Sequence, residues 1–202
     1  MITRVFFVRH AQPEHAWNDD RTRPLTSEGL EDSKRVAEIF SEVHIDYFYS
    51  SPYKRSIDTI KEAAGTRNMK IMTDEKLRER EKGQGGNEFG MFQKRWDNLD
   101  YHEAGGESIR MVQKRNIEVL LDILKKHENK NIVVATHGTA LSSILNYFEP
   151  SFCCNDFLRI IDFMPYIIRL DFNGIELMGN EELLIIEKDY KGSNRADLKG
   201  SN

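Results

Sequence analysis

The stretch FFVRHAQPEH, residues 6–15, joins an apolar run directly to an arginine and a histidine. Residues 5–8 are all β-branched or aromatic, a composition typical of a strand buried on both faces of a parallel sheet. We expect the strand to end at Arg9 and His10, because a guanidinium stays buried only where a partner group binds it. These two side chains therefore mark either an ordinary strand end at the surface or a polar pocket for an anion.

The overall composition restricts the class of protein. The chain has 202 residues, 39% of them hydrophobic and 31% charged, with a formal net charge of −4. These values are typical of one mildly acidic globular domain. Lysine and arginine are scattered along the chain, so we expect no nucleic-acid partner. No apolar segment approaches the length that spans a bilayer, so we expect no membrane partner either.

The cysteines and the N-terminus bear on the cellular compartment. The only two cysteines, Cys153 and Cys154, are adjacent, which suits neither a disulfide framework nor a zinc or redox motif. The N-terminal apolar run is too short for a secretory signal. Both features favour a reducing, cytoplasmic location.

Segments with strand and helix patterns alternate along the chain. Strand patterns are found at 5–8, 45–51, within 70–81, and at 131–136, 167–172 and 182–189, and helix patterns at 23–43, 53–64, 107–127 and 139–148. Such alternation predicts an α/β protein, here a three-layer α/β/α sandwich with a largely parallel central sheet.

We expect a single domain over residues 1–190. A lid-like insertion at about 83–106 interrupts it, where glycines alternate with Phe92, Trp96 and other aromatic residues. Such a long loop is either a surface excursion with its own aromatic cluster or a cover over the substrate. The polar residues 191–202 are expected to form a flexible tail.

The predicted sheet brings polar side chains from several strand ends to one edge. The carboxyl ends of parallel strands meet there, and ligands bind at that edge. Arg9 and His10 follow the first strand, Arg55 lies one turn beyond the second, and His137 follows the strand at 131–136. No carboxylate comes from these strand ends, so the four side chains are expected to form a cationic cup that suits a phosphate.

Hydrolysis of a phosphate ester sets three requirements that these residues can meet. The anionic oxygens must be neutralised, a nucleophile must reach phosphorus, and the leaving alkoxide must receive a proton. Arg9 and Arg55 can bind the oxygens, with help from the N–H groups at a helix start. Nearby guanidinium groups keep a histidine neutral, and His10 is the expected nucleophile. For the proton donor, the segment LRERE offers Glu79 and Glu81.

Five short motifs occur in an order and approximate spacing that resemble a known family. They are VRHA at 8–11, SSPYKRSIDT at 50–59, LRER at 77–80, GGES at 105–108 and ATHGTAL at 135–141. Together they resemble the phosphoglycerate mutase-like branch of the histidine phosphatase superfamily, over about residues 1–172. The resemblance implies a phosphoglycerate mutase-like fold. It also implies that His10 forms a phosphohistidine and that Arg9, Arg55 and His137 bind the phosphate.

The residue after the second histidine narrows the choice of proton donor. Secreted acid phosphatases and phytases of this superfamily place an aspartate there, whereas this chain has Gly138, which we assign to the phosphate pocket. The resemblance then implies Glu79 as the donor, since the family pattern puts its glutamate two positions after the leucine, here Leu77. Glu81 is expected to be a solvated neighbour.

The chain departs from the family pattern at some positions and extends it at others. Ala11 stands where the first motif usually has glycine, a small change that should not disable the site. Trp17 and Asn18 resemble a tryptophan-asparagine pair of the mutases, with extra residues before it. Asn18 is therefore either a substrate-binding residue or a turn residue in a polar loop. Arg80 is a candidate contact for a carboxylate or a second phosphate.

The predicted function is a phosphomonoesterase that hydrolyses a small phosphorylated metabolite. We expect neither a cofactor nor a metal, because the two arginines of the cup would repel a divalent cation. A phosphoglycerate mutase or sugar bisphosphatase is the first alternative, and a catalytically silent phosphate-binding protein is an alternative of another class. The sequence leaves the oligomeric state open, a homodimer included.

Overall fold

The apolar run at residues 5–8 lies in a strand, Thr3–Arg9, inside the central sheet. The computed structural model describes residues 2–87 and 90–188. Within those residues, six strands form one sheet in the order β3-β2-β4-β1-β5-β6. Their bounds are β1 Thr3–Arg9, β2 Tyr47–Ser50, β3 Ile71–Thr73, β4 Asn131–Thr136, β5 Phe163–Asn173 and β6 Glu176–Glu187.

The sheet is parallel on one side of β1 and antiparallel on the other. Strands β1 to β4 pair in parallel, whereas β5 pairs antiparallel with β1 and β6 antiparallel with β5. The α/β fold with a largely parallel sheet is confirmed, but the antiparallel edge was not predicted. Gly174, with a φ of 60°, turns the chain directly from β5 into β6. The start of β6 is polar because it lies on an exposed edge, so it shows no apolar run.

Helices cover both faces of the sheet. Their bounds are α1 Ser27–Ser41, α2 Lys54–Gly65, α3 Met91–Asp97, α4 Ile109–Lys126, α5 Gly138–Phe148 and α6 Cys154–Ile160. Phe6 and Val8 of β1 pack with α1 and α2 on one face. Val5 and Phe7 pack with α4 and α5 on the other face. This alternation of side chains along β1 gives the three layers that the sequence predicts.

The predicted insertion at 83–106 contains helix α3, which the sequence analysis did not identify. Phe92 and Trp96 of α3 pack against Phe157 of α6, with ring centroids 5.3 and 5.7 Å apart. These rings and Ile109 belong to an apolar cluster separate from the two that cover the sheet. The insertion is therefore packed against α6. Helix α6 was also missed, because its seven residues are too few to show a helical period.

Part of the chain lies outside the described residues. This part includes Phe89 of the insertion and the predicted tail at 191–202. Across the ranges 2–87 and 90–188, no helix is both long enough and apolar enough to cross a bilayer.

Gly29 of α1 lies in close contact with the segment that follows β1. A Cβ atom at this position would lie 2.3 Å from the carbonyl oxygen of Gln12. Alanine favours a helix over glycine by about 1 kcal/mol, but overpacking costs about 1–3 kcal/mol. We expect Gly29→Ala to lower the free energy of unfolding, measured with urea.

Gly65, the last residue of α2, is the matched control. A Cβ atom there meets no other atom within 4 Å. Gly65→Ala should leave the free energy of unfolding unchanged or raise it by up to about 1 kcal/mol. Equal stabilisation by both substitutions would contradict the close contact between Gly29 and Gln12.

Candidate active site

The predicted polar side chains come together at the carboxyl ends of β1, β2 and β4. Arg9, His10, Arg55 and Glu79 line one open cleft there, whereas His137 is not among its lining residues. The polar lining consists of Arg9, His10, His15, Asp20, Arg23, Arg55, Glu79, Arg80, Lys82, Asn87 and Thr139, with Gly138 beside them. The apolar lining consists of Pro13, Phe92, Phe157, Ile161 and Met164. Phe92 comes from the insertion, which therefore contributes to the wall of the cleft.

His10 is buried and held in one orientation. Its Nδ1 lies 2.8 Å from the carbonyl oxygen of Ala11. A carbonyl only accepts hydrogen bonds, so Nδ1 carries the proton and Nε2 of the neutral ring keeps its lone pair. Burial lowers the pKa of His10 well below its usual range, and the charges of Arg55 and Arg9 lower it further. The ring is therefore neutral and nucleophilic at physiological pH.

His137 lies beside His10, with the two ring centroids 5.3 Å apart. Its Nε2 lies 2.7 Å from Ser51 Oγ and 3.3 Å from Ser56 Oγ. Its Nδ1 is buried and has no hydrogen-bond partner among the described residues. Burial, followed by the charge of Arg55, lowers the pKa of His137 well below its usual range. Both serines belong to the motif at 50–59, but their contact with the histidine was not predicted from the sequence.

Arg9 is anchored by the main chain where α6 leads into β5. Its Nη1 donates to the carbonyl oxygen of Ile160 and, at 3.1 Å, to that of Phe163. A Cβ atom at Gly138 would lie 3.4 Å from Arg9 Nε. Gly138 therefore lets the first turn of α5 lie against the guanidinium.

Arg55 is paired with a carboxylate that the sequence analysis missed. Its Nη1 donates to the main-chain oxygen of Asp20 at 2.6 Å and to Oδ1 at 3.2 Å. Asp20 also lies 2.8 Å from Arg23 Nη1. Asp20, which comes from a loop and not from a strand end, thus adds a carboxylate to the four side chains of the predicted cup. The polar loop that supplies Asp20 shows no periodicity, so no sequence signal places it over α2.

Glu79 lies at the cleft, whereas Glu81 is exposed and does not line it. The Glu79 carboxylate accepts N–H bonds from Thr139 at 3.0 Å, Ala140 at 3.1 Å and Arg80 at 2.8 Å. Two of the helix N–H groups expected to meet the phosphate are therefore bound to Glu79. This places the carboxyl group at the start of α5, directly after His137.

The segment that carries Glu79 is fixed from α4. Arg115 donates through Nη1 to the main-chain oxygens of Lys76 and Arg78, both at 2.6 Å, and through Nη2 to that of Glu79 at 3.0 Å. Glu107 of the GGES motif lies 2.9 Å from Arg115 Nη2 and 2.6 Å from Arg78 Nη1. The motif therefore holds the Glu79 segment in place and does not line the cleft.

The two candidate substrate contacts, Arg80 and Asn18, differ in position. Arg80 lines the cleft, but its Nη1 donates to Glu103 Oε2 at 3.3 Å and to the Glu107 main-chain oxygen at 3.0 Å. Glu103 also binds Arg95 of α3, so Arg80 ties the insertion to the Glu79 segment. Asn18 is exposed and is not among the lining residues. Of the two roles considered for Asn18, this position favours a turn residue over a substrate-binding residue.

Metal ligation has little support in this arrangement. Within the part of the chain that the structure describes, no group of three His, Cys, Asp or Glu side chains is placed to hold a metal ion. The buried histidines stand beside two guanidinium groups, whose charge opposes a divalent cation.

The two buried histidines contribute to the pH dependence of the stability of the free protein. In the unfolded chain a histidine titrates near pH ~6.5, whereas burial lowers the pKa of His10 and His137 in the folded state. Above that pH neither state binds these protons. Below it the unfolded chain takes up protons that the folded chain does not, so stability falls as pH falls, by up to about 1.4 kcal/mol per pH unit for each histidine.

The slope of stability against pH can be measured by urea unfolding between about pH 7 and about pH 5. His10→Gln removes one titrating ring, so its free energy of unfolding should fall less steeply than that of the wild type. Equal slopes for the wild type and His10→Gln would show that His10 takes up a proton in the folded state.

Comparison with known proteins agrees with the geometry. The family model of the histidine phosphatase superfamily (branch 1) matches residues 5–152. Phosphoglycerate mutase-like protein 4 of Arabidopsis thaliana is 32% identical over 167 residues, covering 73% of this chain and 71% of the relative. Phosphoserine phosphatase 1 of Hydrogenobacter thermophilus is 28% identical over 162 residues, covering 71% and 74%. The structure of a mycobacterial glucosyl-3-phosphoglycerate phosphatase has a TM-score of 0.74 at 14% identity, covering 94% of this chain and 100% of that one.

These matches confirm the family and the fold that the five motifs imply. The family match spans well over half of the chain and contains all the motifs, from β1 to α5. The structural match at low identity shows that the fold is shared. The chain belongs to branch 1 of the histidine phosphatase superfamily.

Proposed function

We propose that the protein is a metal-independent phosphomonoesterase that hydrolyses a small phosphorylated metabolite through a phosphohistidine on His10. One observation carries the proposal: the neutral His10 ring, with its proton fixed on Nδ1, lies beside two buried guanidinium groups in a small cleft. Such a site offers a nucleophile and neutralises an anion at the same place.

The phosphate group is bound by residues from three strand ends. Arg9 and Arg55 supply charged N–H donors, which suit the nonbridging oxygens. His137 has a buried Nδ1 without a protein partner, and this nitrogen serves a further phosphate oxygen. The charge of the dianion raises the pKa of the neighbouring imidazole, so His137 donates a hydrogen bond when the substrate is bound.

The reaction proceeds in two displacements at phosphorus. In the first, His10 Nε2 forms a bond to phosphorus as the bond to the ester oxygen breaks, and Glu79 gives the leaving oxygen a proton. In the second, the Glu79 carboxylate accepts a proton from water as the water oxygen attacks the phosphohistidine. Inorganic phosphate leaves, and both His10 and Glu79 return to their starting states.

Hydrolysis fits the cleft better than mutase chemistry does. A mutase must hold a second phosphate and keep water from the phosphohistidine. In this cleft, Arg80 is bound to Glu103 and Arg23 to Asp20, so these cations are already partly neutralised. A phosphoglycerate mutase or a sugar bisphosphatase is the second candidate, favoured by Arg80 at the cleft and by the mutase-like relative.

His10→Ala tests the nucleophile. We expect the wild type to release phosphate from p-nitrophenyl phosphate with a chelator present, and His10→Ala to lose at least about 10³-fold in kcat/KM. Wild-type enzyme quenched in alkali during turnover should retain labelled phosphate on His10 by mass spectrometry, because the P–N bond of a phosphohistidine survives base and is hydrolysed in acid. His44→Ala, outside the cleft, is the control and should keep full activity.

The same assay separates the candidate functions when phosphoserine, phosphoglycerates and sugar phosphates are added as substrates. Phosphate release supports the phosphomonoesterase and ranks its substrates. Isomerisation of a phosphoglycerate without phosphate release would make the protein a mutase. Inactivity in both assays, with phosphate still bound, would make it a phosphate-binding protein.

Glu79→Gln and Glu81→Gln form a matched pair that tests the proton donor. Loss of a general acid costs about 10²–10⁴-fold when the leaving group is a poor one, such as an alkoxide. We expect Glu79→Gln to lose this much in kcat/KM on an alkyl phosphate and far less in kcat/KM on p-nitrophenyl phosphate, whose leaving group departs without a proton. This parameter reports the first displacement alone, so the part that Glu79 plays in the second does not enter it. Glu81→Gln should resemble the wild type on both esters, and the opposite ranking would assign the role to Glu81.

A further inference from the structure

Asp20 makes direct contact with an arginine of the phosphate site. Arg55 Nη1 donates to the Asp20 main-chain oxygen at 2.6 Å and to Oδ1 at 3.2 Å, and Nη2 donates to Oδ2 at 3.4 Å. The Arg55 side chain is 4% exposed, whereas that of Asp20 is 39% exposed. The arginine is therefore enclosed, and the carboxylate lies on the solvent side of the pair.

The main chain around Asp20 is anchored. In the segment between β1 and α1, Glu14 N donates to the Pro24 oxygen at 2.9 Å. Lys54 N, in the first turn of α2, donates to the Arg21 oxygen at 2.9 Å. The main-chain bond from Arg55 to Asp20 adds to these contacts. The carboxylate is consequently the part of Asp20 that can change partner by rotating its side chain.

Arg23 offers the Asp20 carboxylate a second cation. Arg23 Nη1 lies 2.8 Å from Asp20 Oδ1, closer than either Arg55 nitrogen lies to the carboxylate. The Arg23 side chain is 15% exposed and also lines the cleft. Asp20 can therefore release Arg55 and still keep an ion pair.

A carboxylate and a phosphate compete for the same guanidinium N–H groups. Each presents two oxygen atoms that can accept two parallel hydrogen bonds from one guanidinium group. They also repel each other, because a carboxylate close to a dianion is a pair of like charges in a partly desolvated cleft. Arg9 differs in this respect, since its Nη1 donates to two main-chain oxygens that cannot swing away.

We propose that Asp20 is a positioning residue that exchanges with phosphate on Arg55. In the free enzyme its carboxylate holds the guanidinium in place. A phosphate group then takes over the Nη2 side of Arg55, while Asp20 remains with Arg23 and the main-chain bond to Arg55 persists. After hydrolysis the carboxylate returns to Arg55 and speeds the departure of inorganic phosphate. This inference rests on the proposed function, because it concerns the product of that reaction.

Asp20→Asn tests the exchange, since it keeps the main-chain bond and the side-chain shape but removes the charge. We expect inorganic phosphate to inhibit this variant with a Ki lower by about threefold or more, because repulsion of the dianion is lost. KM and kcat should fall together on p-nitrophenyl phosphate, since bound phosphate leaves more slowly. Titration calorimetry with inorganic phosphate should show the same gain in affinity without any turnover.

Asp19→Asn is the matched control. The exposed Asp19 carboxylate accepts from Thr22 Oγ1 at 2.7 Å and from Arg21 N at 3.0 Å, in the same loop but away from Arg55. This variant should bind phosphate as the wild type does. Weaker or unchanged phosphate affinity in Asp20→Asn would overturn the proposal, because the carboxylate would then only support Arg55. A wild type that binds phosphate but hydrolyses no ester would contradict the proposed function, and calorimetry would still decide the exchange.

Discussion

Buried positive charge at the carboxyl end of the sheet is the constraint on which the rest of the site depends. Arg9 and Arg55 are each 3% exposed, beside the buried rings of His10 and His137. A buried guanidinium without acceptors is strongly unfavourable, so each one must be met by oxygen atoms from elsewhere in the chain. Arg9 meets them where α6 joins β5, and Arg55 meets them at Asp20. The two arginines therefore help to fix the α6–β5 connection and the loop that carries Asp20.

A second set of charges fixes the carboxyl group of Glu79 relative to the histidines. Burial alone would raise the pKa of Glu107, but hydrogen bonds from Arg115 and Arg78 lower it to about 2. Glu107 is therefore an anion at every pH at which the enzyme would work. Arg115 also binds three main-chain oxygens of the Glu79 segment. The main effect of its ion pair with Glu107 is therefore to fix the position of that segment, and its net contribution to folding stability is secondary.

The sequence was informative where local pattern and function coincide. The apolar runs of β1 and β4 end at His10 and His137, so both the strands and the histidines could be read from one signal. The partners of these residues gave no such signal. Asp20 and Glu103 lie in polar loops, and each becomes important only because tertiary structure brings a distant arginine to it. The edge strand β6 was predicted too short for a related reason, since an exposed edge needs no apolar run.

The acceptors that bind Arg9 Nη1 differ in kind from those that bind the Arg55 side chain, and this difference suits a hydrolase. Main-chain oxygens accept hydrogen bonds from Arg9 Nη1, so this nitrogen is a fixed point, with Gly138 beside the guanidinium. A rotatable carboxylate holds Arg55, so part of its hydrogen-bonding capacity can be exchanged with a ligand. A site in which no protein carboxylate competes for the arginines would hold product phosphate for longer, and product release would then limit turnover more strongly. One fixed and one exchangeable arginine reconcile firm orientation of the ester with release of the phosphate.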